Sequence, residues 1–224
     1  MTPKPMNPLY LGTGLTAIAT FLMGFIDAYT FFQHNGSFAS AQTGNLVTLS
    51  AKLFSGDFKE AMSHVWVFAG FAIGAFIGEA VIERSKHKGL KKYMYFLLIQ
   101  AILLFILAVF QGVFNGSVML LILGLLAGYE LTVLRKFRHT TINNGIMTGN
   151  TKNLMNNLYQ ALFNKNRDAK NDCYHLASII IIFMLGAGAG TLIIQYNETL
   201  NLWVAFSIVL ISFAWSTVSL KTKE

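Results

Sequence analysis

Six stretches of the chain carry apolar residues almost without interruption: Tyr10–Phe32, Met62–Glu83, Lys92–Val113, Ser117–Arg135, Tyr174–Tyr196 and Leu200–Leu220. Each is about 20 residues long, and at 1.5 Å per residue such a helix reaches about 30 Å, the hydrocarbon thickness of a bilayer. The pattern predicts six transmembrane helices, with charges or turn pairs such as Asn115-Gly116 at their ends. Two further apolar stretches, Gly44–Phe54 and Gly149–Phe163, are too short to span and read as re-entrant or interfacial helices. Asn153, Asn156, Asn157 and Gln160 make the second of these polar, while Leu154, Met155, Leu158, Ala161 and Leu162 give it one apolar face. Lying flat in the cytoplasmic interface therefore stays open beside re-entry.

Composition agrees with the pattern. Of 224 residues, 54% are hydrophobic and only 12% charged, against roughly 25% charged in soluble domains. Mean hydropathy is +0.52. An ordinary soluble protein is excluded, and residues 1–224 read as a single polytopic all-α membrane domain. The three prolines all precede residue 9, so none interrupts a span. A single cysteine, Cys173, excludes an internal disulfide and a CxxC metal site, and reads as an unreactive thiol.

Charge orients the chain. With six spans and a cytoplasmic N-terminus, fifteen of the seventeen lysines and arginines fall inside: Lys4, the Arg84–Lys92 cluster, the Arg135–Lys170 segment, Lys221 and Lys223. Only Lys52 and Lys59 fall outside. The positive-inside rule favours this arrangement, with both termini cytoplasmic and the cell membrane as location. If the two short stretches crossed as well, the bias would vanish. The net charge of +7 is thus mostly topogenic and does not call for nucleic acid. The first stretch follows only one lysine and lacks a clear cleavage site, so it reads as a mature helix rather than a signal peptide.

The two halves resemble each other. Gly24-Phe25 lies 19 residues before Thr43-Gly44-Asn45, and Gly128-Tyr129 lies 20 residues before Thr148-Gly149-Asn150. Each Thr-Gly-Asn opens a short helix, followed by a glycine-spaced span (Gly70, Gly74 and Gly78; Gly186 and Gly190) and a plainer final span. Three spans per repeat, about 10–113 and 117–220, force the second repeat to enter from the opposite face. The expected architecture is therefore two inverted three-helix repeats, common among transporters and channels. The glycines are expected to serve close helix packing. Gly186-Ala-Gly-Ala-Gly190 lies within a span and does not complete a dinucleotide fingerprint.

Gly24-Phe-Ile-Asp-Ala28 followed by Gln42-Thr-Gly-Asn45 resembles the opening signature of the YoaK-like membrane proteins. The resemblance runs over nearly the whole chain and implies a mostly bacterial membrane protein of about six helices, with no established activity. At Glu130-Leu131 it would lead one to expect a Gln-Asn pair, and this sequence has neither residue.

The polar residues within apolar surroundings suggest a site. A helix start offers unsatisfied N–H groups and about half a positive charge. Thr43 or Asn45 could cap the first short helix, and Gly44 allows close approach of a backbone or ligand. Two such starts facing each other near midplane would suit an anion or dipolar solute. The bland alternative is a tight loop with a helix cap. Asp27 lies inside the first span, where a carboxylate must be paired, protonated or facing water. It could carry a coupling proton or bind a cation, or be an interfacial carboxylate near the outer helix end or a structural hydrogen-bonding group to a loop. Glu130, its rough counterpart, is expected to pair with Arg135, and Glu79 to snorkel or pair with the Arg84–Lys92 cluster.

The candidate solute-binding set is thus Asp27, Gln42, Thr43, Gly44, Asn45, Glu130, Thr148, Gly149 and Asn150. Asn45 and Asn150 are expected to approach each other, with Asp27 at the outer side. The five histidines show no ligand spacing, and no hydrolase or nucleotide-binding motif is present, so neither a metal, a cofactor nor an enzyme is expected. The leading expectation is a secondary transporter of a small polar or anionic solute, possibly proton-coupled. A facilitative channel, or a scaffold or sensor using the basic Arg135–Lys170 segment, are the alternatives, and self-association stays open.

Overall fold

The computed structural model describes residues 8–85, 91–143 and 145–221. Among these described residues eight helices follow in order: α1 (Pro8–Gln33), α2 (Gln42–Phe54), α3 (Phe58–Arg84), α4 (Lys91–Phe110), α5 (Gly116–Val133), α6 (Met147–Phe163), α7 (Arg167–Tyr196) and α8 (Leu200–Lys221). Six of them (α1, α3, α4, α5, α7 and α8) are long and apolar enough to cross a membrane. The two short helices of the sequence pattern are α2 and α6, each starting two residues earlier than its glycine. Of the basic positions that orient the chain, Lys4, Lys86, Lys88 and Lys223 lie outside the described residues.

Local chemistry sets several of the boundaries. Asp57 accepts the Glu60 N–H at the start of α3, Asn115 accepts the Val118 N–H at the start of α5, and Asn166 accepts the N–H groups of Asp168 and Ala169 at the start of α7. The Asn166 cap lets α7 begin seven residues before its apolar run. Gly56, in the left-handed region at φ 85°, makes the turn between α2 and α3.

The spans pair across the two halves of the sequence: α1 packs on α7, α3 on α5, and α4 on α8, while α2 lies on α3 and α6 on α7. Bare backbone makes the first two contacts close. A Cβ added at Gly74 would collide with the Leu125 carbonyl, and one at Gly128 with the Phe71 carbonyl. On the other pair, a Cβ at Gly24 would meet the Phe183 carbonyl and one at Gly186 the Phe21 carbonyl. Small residues let membrane helices approach this closely, which bears out the packing role expected for the glycines. Apolar side chains such as Phe76, Ile181, Leu192 and Val218 are exposed on the outer surface, as lipid-facing positions are.

One expectation needs correction. Arg135 pairs with Glu79 of α3 rather than with Glu130, because the chain leaves α5 at Val133 and carries Arg135 past the helix end. Glu79 therefore pairs with Arg135, while Lys86 and Lys88 of the Arg84–Lys92 cluster lie outside the described residues. The basic segment after α5 also holds an unforeseen antiparallel hairpin, β1 (Lys136–Phe137) with β2 (Thr140–Thr141). It lies on the start of α1: Thr16 Oγ1 donates to the Lys136 carbonyl at 2.8 Å, and the Arg138 N–H donates to Thr13 Oγ1 at 3.2 Å. Two residues per strand gave no alternation to read.

Candidate functional site

The segment between α1 and α2 is tied down by its own polar groups. The Asn45 side chain accepts the Phe38 N–H at 2.9 Å and donates to the Phe38 carbonyl at 2.6 Å. Asn45 also donates to Gln42 Oε1, and Gln42 donates to the Ala39 carbonyl. From α1, Thr30 Oγ1 accepts the Ala39 N–H at 3.2 Å. Asp27 accepts twice from Ser40: the N–H reaches Oδ1 at 2.8 Å and the hydroxyl lies 2.5 Å from Oδ2. A carboxylate that cost so much to bury is thus satisfied by the loop it anchors.

The segment before α6 repeats the device. Asn150 accepts the Asn143 N–H at 3.0 Å and donates to the Asn143 carbonyl at 2.7 Å. Ile142, packed with Leu176 and Ile179 of α7, seats this second loop. The loops meet each other at Ser40 and Gly145, each three residues before the threonine of its Thr-Gly-Asn. Ser40 Oγ lies 3.1 Å from the Gly145 carbonyl, and a Cβ at Gly145 would strike the Ser40 side chain.

A cavity of about 690 Å³ opens at this junction. Asp27, Gln42, Thr43, Gly44 and Thr148 of the expected set line it. Five phenylalanines, Phe31, Phe32, Phe38, Phe71 and Phe183, supply much of the rest, with Thr191 adding a hydroxyl. Among the described residues, Asp27 is the only ionisable one in the lining. The helix starts carry no side-chain caps: Ala41 precedes α2 and Ile146 precedes α6. The expectation that Thr43 or Asn45 would cap α2 is therefore corrected, because the helix begins at Gln42 and places both residues inside it.

The remaining expected residues stand elsewhere. Asn45 and Asn150 are 1% and 0% exposed, serve their own loops, and do not line the cavity. Gly149 sits against the Asn143 side chain. Glu130, 1% exposed, takes a hydrogen bond from Gln100 of α4, apart from the cavity. It falls one position out of step with Asp27 relative to Gly24 and Gly128. Cys173 is half-buried, its thiol 3.8 Å from the Leu154 carbonyl. Among the described residues no cluster of histidine, cysteine and carboxylate could hold a metal.

Ser40 and Gly145 were missed by the sequence reading, as were Phe71 and Phe183. Extending the Thr-Gly-Asn match three residues towards the N-terminus would have aligned Ser40 with Gly145. Nothing in a lone serine and a lone glycine says that they touch.

These features define a helical multi-pass membrane protein in which two loop-and-helix elements converge on a buried carboxyl. The chain belongs to the family described as Protein of unknown function (DUF1275), whose model matches residues 15–215. Neither a curated protein nor a solved structure matches the chain.

Proposed function

We propose that this protein is a secondary transporter of a small solute, built from two inverted repeats in the cell membrane, with both termini cytoplasmic. The observation that carries the reading is the cavity at the junction of the two loops, lined at once by Asp27, by the first turn of α2 and by the first turn of α6. Irregular backbone at membrane depth is tolerated where it is buried or lines a wet cavity, and transporter sites use broken helices in this way.

Several relationships support the inverted repeat. Exchanging the halves turns the α1–α7 contact into α5–α3, leaves α4–α8 unchanged, and turns α2–α3 into α6–α7. The Gly24 and Gly128 contacts exchange likewise, since Phe183 and Phe71 occupy equivalent places. Residues on the axis of such a relation touch their own counterparts, as Ser40 and Gly145 do. The opening signature supports placing the chain with the YoaK-like members of its family.

The lining also narrows the solute. Uncapped helix starts favour an anionic or hydrogen-bond-accepting end, and the phenylalanines favour a compact apolar body. A small organic acid or a dipolar solute fits both. The test is a thermal-stability screen of such solutes on the purified protein, followed by uptake into proteoliposomes. A solute at about one hundred times its Kd adds about 2.7 kcal/mol to stability. Thr148→Phe, which fills the cavity, should remove both the shift and the uptake. If no such solute stabilises the protein, or if Thr148→Phe responds as the parent does, the transport reading is wrong.

A further inference from the structure

Three oxygens stand in a row: Asp27 Oδ2, Ser40 Oγ at 2.5 Å from it, and the Gly145 carbonyl oxygen 3.1 Å beyond. Two hydrogen bonds along this row need two hydrogens. The Ser40 hydroxyl carries one, and a carbonyl carries none. An ionised Asp27 is an acceptor only, so the hydroxyl must turn to it, and the Gly145 carbonyl loses the Ser40 donor. A protonated Asp27 supplies the second hydrogen. Its O–H then donates to Ser40 Oγ, the Ser40 O–H donates to Gly145, and both bonds exist together. The Ser40 N–H donates to Asp27 Oδ1 in either state.

We propose that Asp27, Ser40 and the Gly145 carbonyl form a proton-operated latch between the two loops, closed while Asp27 carries a proton and released when it ionises. The latch deepens the transport reading, on which its use rests but its existence does not. It joins the first half of the chain to the second beside the cavity, so releasing it frees the two helix starts to separate. The latch is complete on the acid side of the Asp27 titration and is lost as pH rises through it.

The surroundings leave that titration to Asp27 itself. Against it from α7 stand Phe183, Ala187 and Thr191 in the cavity wall, and from the second loop Gly145, none ionisable. His64 of α3 faces the other side of the first loop, 3.4 Å from Ser37 and Asn45. Glu198 lies towards Tyr29, as does His34, whose ring meets Tyr29 edge-on. Glu130 of α5 is bonded to Gln100 of α4. The hairpin's Lys136 and Arg138 meet α1 at Thr16 and Thr13, near its opposite end. The sole charged residue of α8 is Lys221, at its last position.

Two variants should move in opposite directions. Asp27→Asn mimics the protonated acid, because its amide donates to Ser40 Oγ and its carbonyl accepts the Ser40 N–H. Ser40→Ala keeps the carboxyl and removes the relay. The experiment places nitroxide labels at Thr43→Cys and Thr148→Cys in a Cys173→Ser background and measures their separation by pulsed electron resonance in proteoliposomes without solute. The parent should give one narrow distance in mildly acidic medium and a displaced or broadened one in mildly alkaline medium. Asp27→Asn should stay narrow throughout and Ser40→Ala displaced throughout. The carboxylic-acid infrared band of Asp27, absent from Asp27→Asn, should titrate together with the distance change in the parent. That measurement needs no Ser40 variant, should Ser40→Ala fail to fold. A pH-independent distance in the parent overturns the latch, as does a Ser40→Ala protein that still responds to pH, or an Asp27→Asn protein that behaves like Ser40→Ala. Uptake of a solute that stabilises the purified protein, measured on matched vesicles of the unlabelled parent, keeps the two ideas apart. Uptake without a latch response ends the latch alone, and a latch response without uptake ends the transport reading alone.

Discussion

Asn45 and Asn150 make the same pair of hydrogen bonds, each accepting the N–H of the residue seven positions earlier and donating to the carbonyl of that same residue: Phe38 for Asn45, Asn143 for Asn150. In each case the amide oxygen takes the backbone N–H and the amide nitrogen donates to the backbone carbonyl. A side-chain amide is the group suited to this, since it offers one acceptor and two donors in one plane. The asparagine of each Thr-Gly-Asn is thus a clamp that folds its loop back onto the first turn of the helix. Each clamp sets the height at which Ser40 or Gly145 is presented to the other loop.

This relationship makes aspartate a revealing substitution. Asn45→Asp keeps the acceptor for the Phe38 N–H but sets a second oxygen against the Phe38 carbonyl. Asn45→Ala removes both bonds. Leaving buried backbone groups unpaired costs about 1–3 kcal/mol each, so both variants should be less stable than the parent, and Asn150→Asp and Asn150→Ala should behave alike. Thermal unfolding in detergent measures this, with protease cleavage within residues 34–41 or 138–146 as the local readout. Unchanged stability in all four would show that the clamps are incidental.

The stretch Gly186-Ala-Gly-Ala-Gly190 separates two kinds of glycine within five residues. A Cβ at Gly186 would strike the Phe21 carbonyl, whereas one at Gly188 meets nothing within 4 Å. Gly186→Ala must push α7 away from α1, and overpacking of this kind costs about 1–3 kcal/mol. Gly188→Ala meets no such resistance and gains helix propensity, worth up to about 1 kcal/mol. Melting temperatures should therefore fall for the first and hold or rise for the second. Equal effects would mean that α1 and α7 do not approach as closely as described.

How much of this was legible in the sequence follows from what each feature depends on. Spans depend on composition over about 20 residues, so the apolar runs located all six helices, and the repeated Thr-Gly-Asn located the two loops. Asp27 stood out because a carboxyl in an apolar run is costly. Partner choice is a different matter. Glu79 met Arg135 across 56 residues, and Glu130 met Gln100 across 30, because helix pairing between the halves sets those neighbours. Asn45 and Asn150 stand out in the sequence, but their clamping of the loops does not, since a clamp to a residue seven positions back and a ligand contact require the same amide. The Ser40–Gly145 contact spans 105 residues between two unremarkable small residues, and only the fold brings them together.

His34 gives a pH dependence with a definite sign. It follows α1, is half-buried against Tyr29, and burial holds its imidazole below the ordinary histidine value. The unfolded chain takes up the proton first, so acidification favours the unfolded state. The stability associated with a neutral His34 is present above the ordinary value of about 6.5 and is lost as pH falls below it towards the lower folded value. Replacing His34 by Phe, which keeps the ring contact but cannot titrate, should make the pH profile of stability shallower across that interval. An unchanged profile would assign the acid sensitivity elsewhere.

Gln100 and Glu130 offer the sharpest test of the core between α4 and α5. Both are buried, at 2% and 1% exposure. The Gln100 amide donates to one carboxyl oxygen of Glu130, and the other has no hydrogen-bond partner among the described residues. Two polar groups in apolar surroundings stabilise little as a pair, because desolvation offsets what their contact contributes. Breaking the pair is costly, since the remaining group stays buried alone. Gln100→Leu should therefore destabilise the protein by about 3–5 kcal/mol if Glu130 is charged and by less if it is neutral. Gln100→Leu with Glu130→Met removes both polar groups at similar volume and should recover most of that loss. The comparison is a double-mutant cycle on thermal unfolding in detergent, and the expected coupling lies at the upper end of the roughly 0.5–3 kcal/mol seen for residues in contact. Additive losses would mean that the two side chains do not depend on each other, and that the hydrogen bond between α4 and α5 contributes nothing to holding them together.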